Sequence, residues 1–135
     1  MDKALNYLAI ARKGGLAELG EEPVGAAARA GKAHLILVAS DASDHTWRRA
    51  RSFAAGTDQQ VIRLEATKEE MGFAVGRTSL AMAAVTDPEL SEALVSALGP
   101  AHSRALEVLS AKAEKARKLR REAKSHRRNV RKGKK

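Results

Sequence analysis

The sequence predicts a three-layer α/β sandwich followed by a basic C-terminal helix or tail, and three observations carry that prediction. Helix and strand signals alternate along the first hundred residues, the pattern of α/β architectures. The run at 35–39 is apolar without alternation, so both faces of that strand need cover and helices must lie on both sides of the sheet. Charge is segregated as well. The net charge is +9, yet residues 1–110 carry 12 basic and 14 acidic side chains, while residues 111–135 carry 13 basic and 2 acidic ones. The expected division is therefore a near-neutral sandwich over 1–100 and a basic helical or disordered tail over 101–135.

The elements follow in order. Asp2 caps a first helix that keeps Leu5, Leu8 and Ala9 on one face, and Gly14-Gly15 ends it. A short edge strand is expected at 16–19. Gly20 then opens a turn, and Glu22 followed by Pro23 reads as a helix entry with proline in the first helical position, running to Gly31. After the buried strand at 35–39, Ser43 starts a helix with Trp47, Ala50, Phe53 and Ala54 inward, closed by Gly56. A second core strand is expected at 61–64. Thr67 and Glu70 have capping-box spacing for a short helix with Met71, Ala74 and Val75 on one face. The loop Gly76-Arg77-Thr78-Ser79 leads to a third core strand at 80–85, and Asp87-Pro88 supplies a cap and a first-turn proline. Leu90, Leu94, Ala97 and Leu98 face inward before Gly99-Pro100 stops that helix. Beyond it the composition favours helix, and Leu106, Leu109, Ala113 and Ala116 recur at helical spacing, so the first turns of the tail can pack on the body.

A chain of 135 residues is long enough for one core, and the absence of cysteine excludes disulfides and thiolate metal sites. The apolar runs fall far short of the roughly twenty residues that span a membrane, and Met1 is not followed by a basic-then-apolar leader. A cytoplasmic protein is expected.

Catalytic signals are poor. His34, His45, His102 and His126 are scattered without metal-ligand spacing, and no enzyme activity or cofactor is expected. Gly25 to Lys32 has five residues between its glycines and Ala33 where a phosphate loop needs Ser or Thr, so it reads as a helix stop. Asp41, Asp44 and His45 follow a buried strand, and their expected role is helix capping by Asp41 or Ser43.

Two loops carry more. Gly20-Glu21-Glu22 enters a helix N-terminus whose amides can meet phosphate or base acceptors, with Arg12, Lys13 and Lys32 expected nearby. Arg77, Thr78 and Ser79 offer a guanidinium and two hydroxyls. A segment with 13 positive charges in 25 residues repels itself unless a polyanion neutralises it. Lys115, Arg117, Lys118, Arg120, Arg121, Lys124, Arg127 and Arg128 are the candidate contacts, with RNA as the expected partner. A membrane-surface tail is disfavoured because only Leu119 and Val130 are bulky and apolar after residue 111.

The run Leu8-Ala9-Ile10-Ala11-Arg12-Lys13-Gly14-Gly15-Leu16, then Gly20-Glu21-Glu22, then Ala30-Gly31-Lys32-Ala33-His34-Leu35-Ile36-Leu37-Val38-Ala39-Ser40-Asp41-Ala42-Ser43, resembles the ribosomal L-seven-Ae superfamily of RNA binders. It looks most like the short bacterial members of ribosomal-protein type. Glu70-Met71-Gly72, Gly76-Arg77 and Ala83-Ala84-Val85-Thr86-Asp87 keep that order, and the likeness spans about residues 3 to 98. The resemblance implies an α-β-α sandwich of four strands and five helices, no enzyme activity, and binding to kinked ribosomal or regulatory RNA. In the kink-turn binders a Gly-x-Asn-Glu-x-x-Lys motif meets the RNA. Here Gly20 matches, whereas Glu22, Pro23 and Ala26 occupy the Asn, Glu and Lys places. Pro23 has no carboxylate for guanine and Ala26 no charge for phosphate, so little kink-turn preference is expected. The expected function is non-enzymatic binding of ribosomal or other structured RNA by a monomer, with no membrane partner. The alternative is a protein-interaction module that docks on the ribosome or an acidic protein.

Overall fold

The computed structural model describes residues 2–133, with side chains through residue 127. It is a three-layer α-β-α sandwich around a four-stranded mixed sheet, with six α-helices. Helix α1 (Lys3–Lys13) is capped by Asp2, whose carboxylate accepts from the Ala4 amide at 2.9 Å. Strand β1 (Ala17–Leu19) forms one edge. Helix α2 (Glu21–Arg29) begins two residues earlier than expected, so Pro23 is its third residue rather than its first. Gly20 at φ 98° makes the turn that its neighbours could not, and a proline in the first turn removes only an amide that has no helical partner.

Strand β2 (Leu35–Val38) is buried on both faces and lies between β3 (Gln60–Arg63), which is parallel to it, and β4 (Met82–Val85), which is antiparallel. The sheet order is β1-β4-β2-β3. β3 is thus the second edge and not a core strand, and of its four residues only Ile62 is buried. Helix α3 (Asp44–Ala54) is capped by Ser43, which accepts from the Thr46 amide. Asp41 caps elsewhere: its carboxylate accepts from the Lys68 amide at 2.8 Å and so fixes the start of α4 (Lys68–Ala74). The Thr67–Glu70 capping box closes that same start as expected. Helix α5 (Pro88–Ala97) is capped by Asp87, with Pro88 in its first turn. A 3-10 turn at Pro100–His102 leads into α6 (Ser103–Gly133).

Two apolar layers result. Val24, Ala28, Ala50 and Ala54 of α2 and α3 cover Ile36, Val38 and Ala84 on one face. On the other, α1, α4, α5 and the first turns of α6 cover Leu35, Leu37, Ala83 and Val85, with Leu109 and Ala113 of α6 fully buried. At the base, Gln59 is buried with its amide satisfied. Its Oε1 accepts from the Ala33 amide, and its Nε2 donates to the Ala28 carbonyl, which ties the end of α2 to the entry of β2.

Candidate nucleic-acid interface

Strand directions divide the candidate residues between two ends of the sheet. β1, β2 and β3 run one way and β4 the other, so the loops after β1, β2 and β3 gather with the loop before β4. That end holds Gly20, Glu21 and Glu22 together with Arg77, Thr78 and Ser79. The Gly20 amide donates to the Met82 carbonyl at 2.9 Å, which pins the α2 entry to the start of β4. The loop at 77–79 folds back on α4. The Arg77 amide donates to the Gly72 carbonyl at 2.8 Å, and a Cβ at Gly72 would lie 2.7 Å from the Ser79 nitrogen, so only glycine permits this approach. Arg77, Thr78 and Ser79 are exposed, as are Glu22, Pro23 and Ala26.

Glu21 is engaged: its carboxylate holds the Nε of Arg49 at 2.9 Å, and the Arg49 guanidinium lies 5.1 Å from the Phe53 ring centre. The groove between α2 and α3 is therefore lined by Arg29 and Arg49 beside Ala26, the position that lacks a lysine. Across the same layer Arg63 covers Trp47 at 4.7 Å. The arginines of α3 were not singled out from the sequence, although the run Trp47-Arg48-Arg49 and Arg51 in an otherwise polar helix was the available signal.

Lys32 lies at the other end, since α2 carries the chain the full depth of the sheet between Gly20 and Lys32. Arg12 and Lys13, at the close of α1, are there too, because Leu16 follows them and accepts from Thr86 just beyond β4. The expected cluster of Arg12, Lys13 and Lys32 with Gly20 is thus not formed. Gly31, the neighbour of Lys32, lines a groove with His34, Asp58, Lys112 and Lys115, where α6 passes the entry of β2.

Helix α6 runs antiparallel to α5. Arg117 reaches Glu92 at 3.2 Å and Glu89 at 3.9 Å, and Arg120 reaches Glu89 at 2.7 Å, so later residues of α6 pair with earlier residues of α5. Within α6, Glu114 takes Arg117 at 3.3 Å and Arg121 at 3.1 Å. Hydrogen bonds from Arg121 and Arg117 hold the Glu114 carboxyl below its ordinary range, and Glu92 raises the Arg117 guanidinium above its own. The eight basic candidates thus separate. Arg117, Arg120 and Arg121 already hold carboxylates, while Lys115, Lys118, Lys124 and Arg127 hold none among the described residues. Arg128 lies outside the described side chains. Residues 121–127 are exposed on all sides, and at 1.5 Å per residue the stretch 121–133 extends about 20 Å past the sandwich. It leaves from the end opposite the Gly20 and Arg77 loops.

Among the described residues no group of three or more His, Asp or Glu stands together as a metal site, and no helix is long and apolar enough to cross a membrane. No protein-family model matches the chain, and no curated protein sequence does. Solved structures do match. A protein of unknown function from Bacillus halodurans is 24% identical with a TM-score of 0.69, over 74% of this chain and 100% of that one. The 15.5 kD RNA-binding protein of Giardia lamblia is 18% identical with a TM-score of 0.52, over 82% of this chain and 83% of its own. At these identities the likeness is one of fold: the chain shares its α-β-α sandwich with both.

Proposed function

We propose that this chain is a non-enzymatic RNA-binding protein, a cytoplasmic monomer that associates with ribosomal or other structured RNA. The observation that carries the reading is the concentration of positive charge on one helix that leaves a near-neutral body, because phosphate neutralisation by such an arm supplies sequence-independent affinity. The fold likeness to an RNA-binding protein of Giardia lamblia supports it. Glu22, Pro23 and Ala26 lack the groups that read a kink-turn, so the body orients RNA through Arg77, Thr78 and Ser79 without selecting kinked over straight duplex. The same three residues favour a second reading, a protein-interaction module on the same fold that does not touch RNA and whose tail docks on the ribosome or an acidic protein. Purification discriminates the two. The RNA reading predicts co-purifying nucleic acid, seen as raised absorbance at 260 nm and removed by RNase, and comparable binding of a kink-turn and an unkinked duplex of equal length. Protein that purifies free of nucleic acid and binds neither probe contradicts it.

A further inference from the structure

One face of α6 changes character along its length. Leu106, Leu109 and Ala113 lie on the face turned to the sandwich. The same three- and four-residue spacing continues through Arg117, Arg120, Lys124 and Arg127, so the apolar stripe becomes a cationic stripe without leaving its side of the helix. The change falls where α5 begins. Up to that point α5 covers the stripe, and beyond Pro88 nothing among the described residues does. At the boundary, Glu89 and Glu92 hold Arg117 and Arg120, and both carboxylates are half-buried between the helices. The two ion pairs fix both the direction in which α6 leaves the body and its rotation about its axis.

We infer that Glu89 and Glu92 are positioning residues for RNA binding. By holding Arg117 and Arg120 they keep α6 a rigid arm whose Lys124 and Arg127 face grips the backbone of double-helical RNA seated beyond the start of α5. The inference rests on the RNA-binding reading and adds its ligand class. Cations on one helix face stand about 5–6 Å apart in a fixed line, and a fixed line suits a duplex, whose phosphates are themselves fixed. A single strand adapts equally to a fixed or a swinging arm. Preorganisation therefore favours the duplex selectively.

The test turns on sign. Glu89→Gln with Glu92→Gln in the full chain removes two negative charges next to a polyanion site, so long-range electrostatics alone would raise affinity for every RNA. A positioning role predicts the reverse for one ligand: affinity for a blunt RNA duplex falls about three- to tenfold, while affinity for an unstructured single strand holds or rises. The salt slope on the single strand should not change, because the same cations remain. Faster tryptic cleavage between Lys115 and Arg121 would report the loosened arm. Should the double variant melt non-cooperatively, Glu92→Gln alone, which keeps Arg120 on Glu89, is expected to move the duplex preference the same way by less. Equal gains on duplex and single strand overturn the inference but leave RNA binding standing. A wild-type protein that binds neither probe overturns the reading beneath it.

Discussion

Among the basic side chains of the C-terminal segment, Lys112 is drawn into the body of the fold. Only 17% of its side chain is exposed, and its Nζ lies 2.9 Å from Asp58 and 3.2 Å from the Nδ1 of His34. An ammonium has only donors, so His34 Nδ1 accepts and the neutral ring carries its proton on Nε2. Burial, and then the Lys112 charge, push the His34 imidazole below its ordinary value, against smaller opposing effects of Asp58 and Asp87. The unfolded chain therefore takes up this proton before the folded one does. The stability linked to His34 is complete above the ordinary imidazole value of about 6.5 and is lost as pH falls from there toward the lowered folded value. The melting temperature should drop between pH 7.5 and 5.5, and drop less in His34→Gln, which keeps an acceptor for Lys112 but does not titrate. Parallel curves for the two proteins would remove His34 from the account.

At the scale of elements, α6 is one helix with two physical halves. Leu109 and Ala113 belong to the core, whereas from residue 121 onward every described side chain is exposed. Leu109→Ala should cost about 2–5 kcal/mol, the range for a fully buried leucine, measured by denaturant unfolding. A chain ending at residue 120 should unfold like the full chain, and one ending at residue 100 should melt lower because it uncovers Leu94 and its neighbours. Equal stability of all three would show that the packing of α6 contributes nothing. Elements set by local chemistry were legible in the sequence: Thr67 with Glu70, Asp87 with Pro88, and the continuous apolar run of β2 each specify their own structure within a few residues. What was not legible depends on partners far along the chain. The edge position of β3 follows from which strand pairs with β2, the role of Asp41 from a helix 27 residues later, and the capture of Arg117 from carboxylates on α5. Lys32 was misplaced for a related reason. Residue spacing marks its helix, but α2 carries the chain from one end of the sheet to the other, and that displacement depends on how the helix lies along the strands.

For the whole molecule, charge and fold are arranged independently. The sandwich brings the Gly20 and Arg77 loops to one end of the sheet, and α5 and α6 return the chain so that the cationic arm leaves from the other. An RNA that used both would have to run the length of the sheet, so the proposed function divides the work: the loops are assigned orientation and the arm affinity. The direct measurement of that claim is the salt dependence of RNA affinity, with and without residues 121–135. Neutralisation of about six phosphates predicts a slope of log K against log salt of roughly −5 on duplex and −4 on a single strand. Deletion of residues 121–135 should reduce the slope to about −1 to −2 while leaving the melting temperature unchanged. A slope and an affinity that survive the deletion would contradict the account.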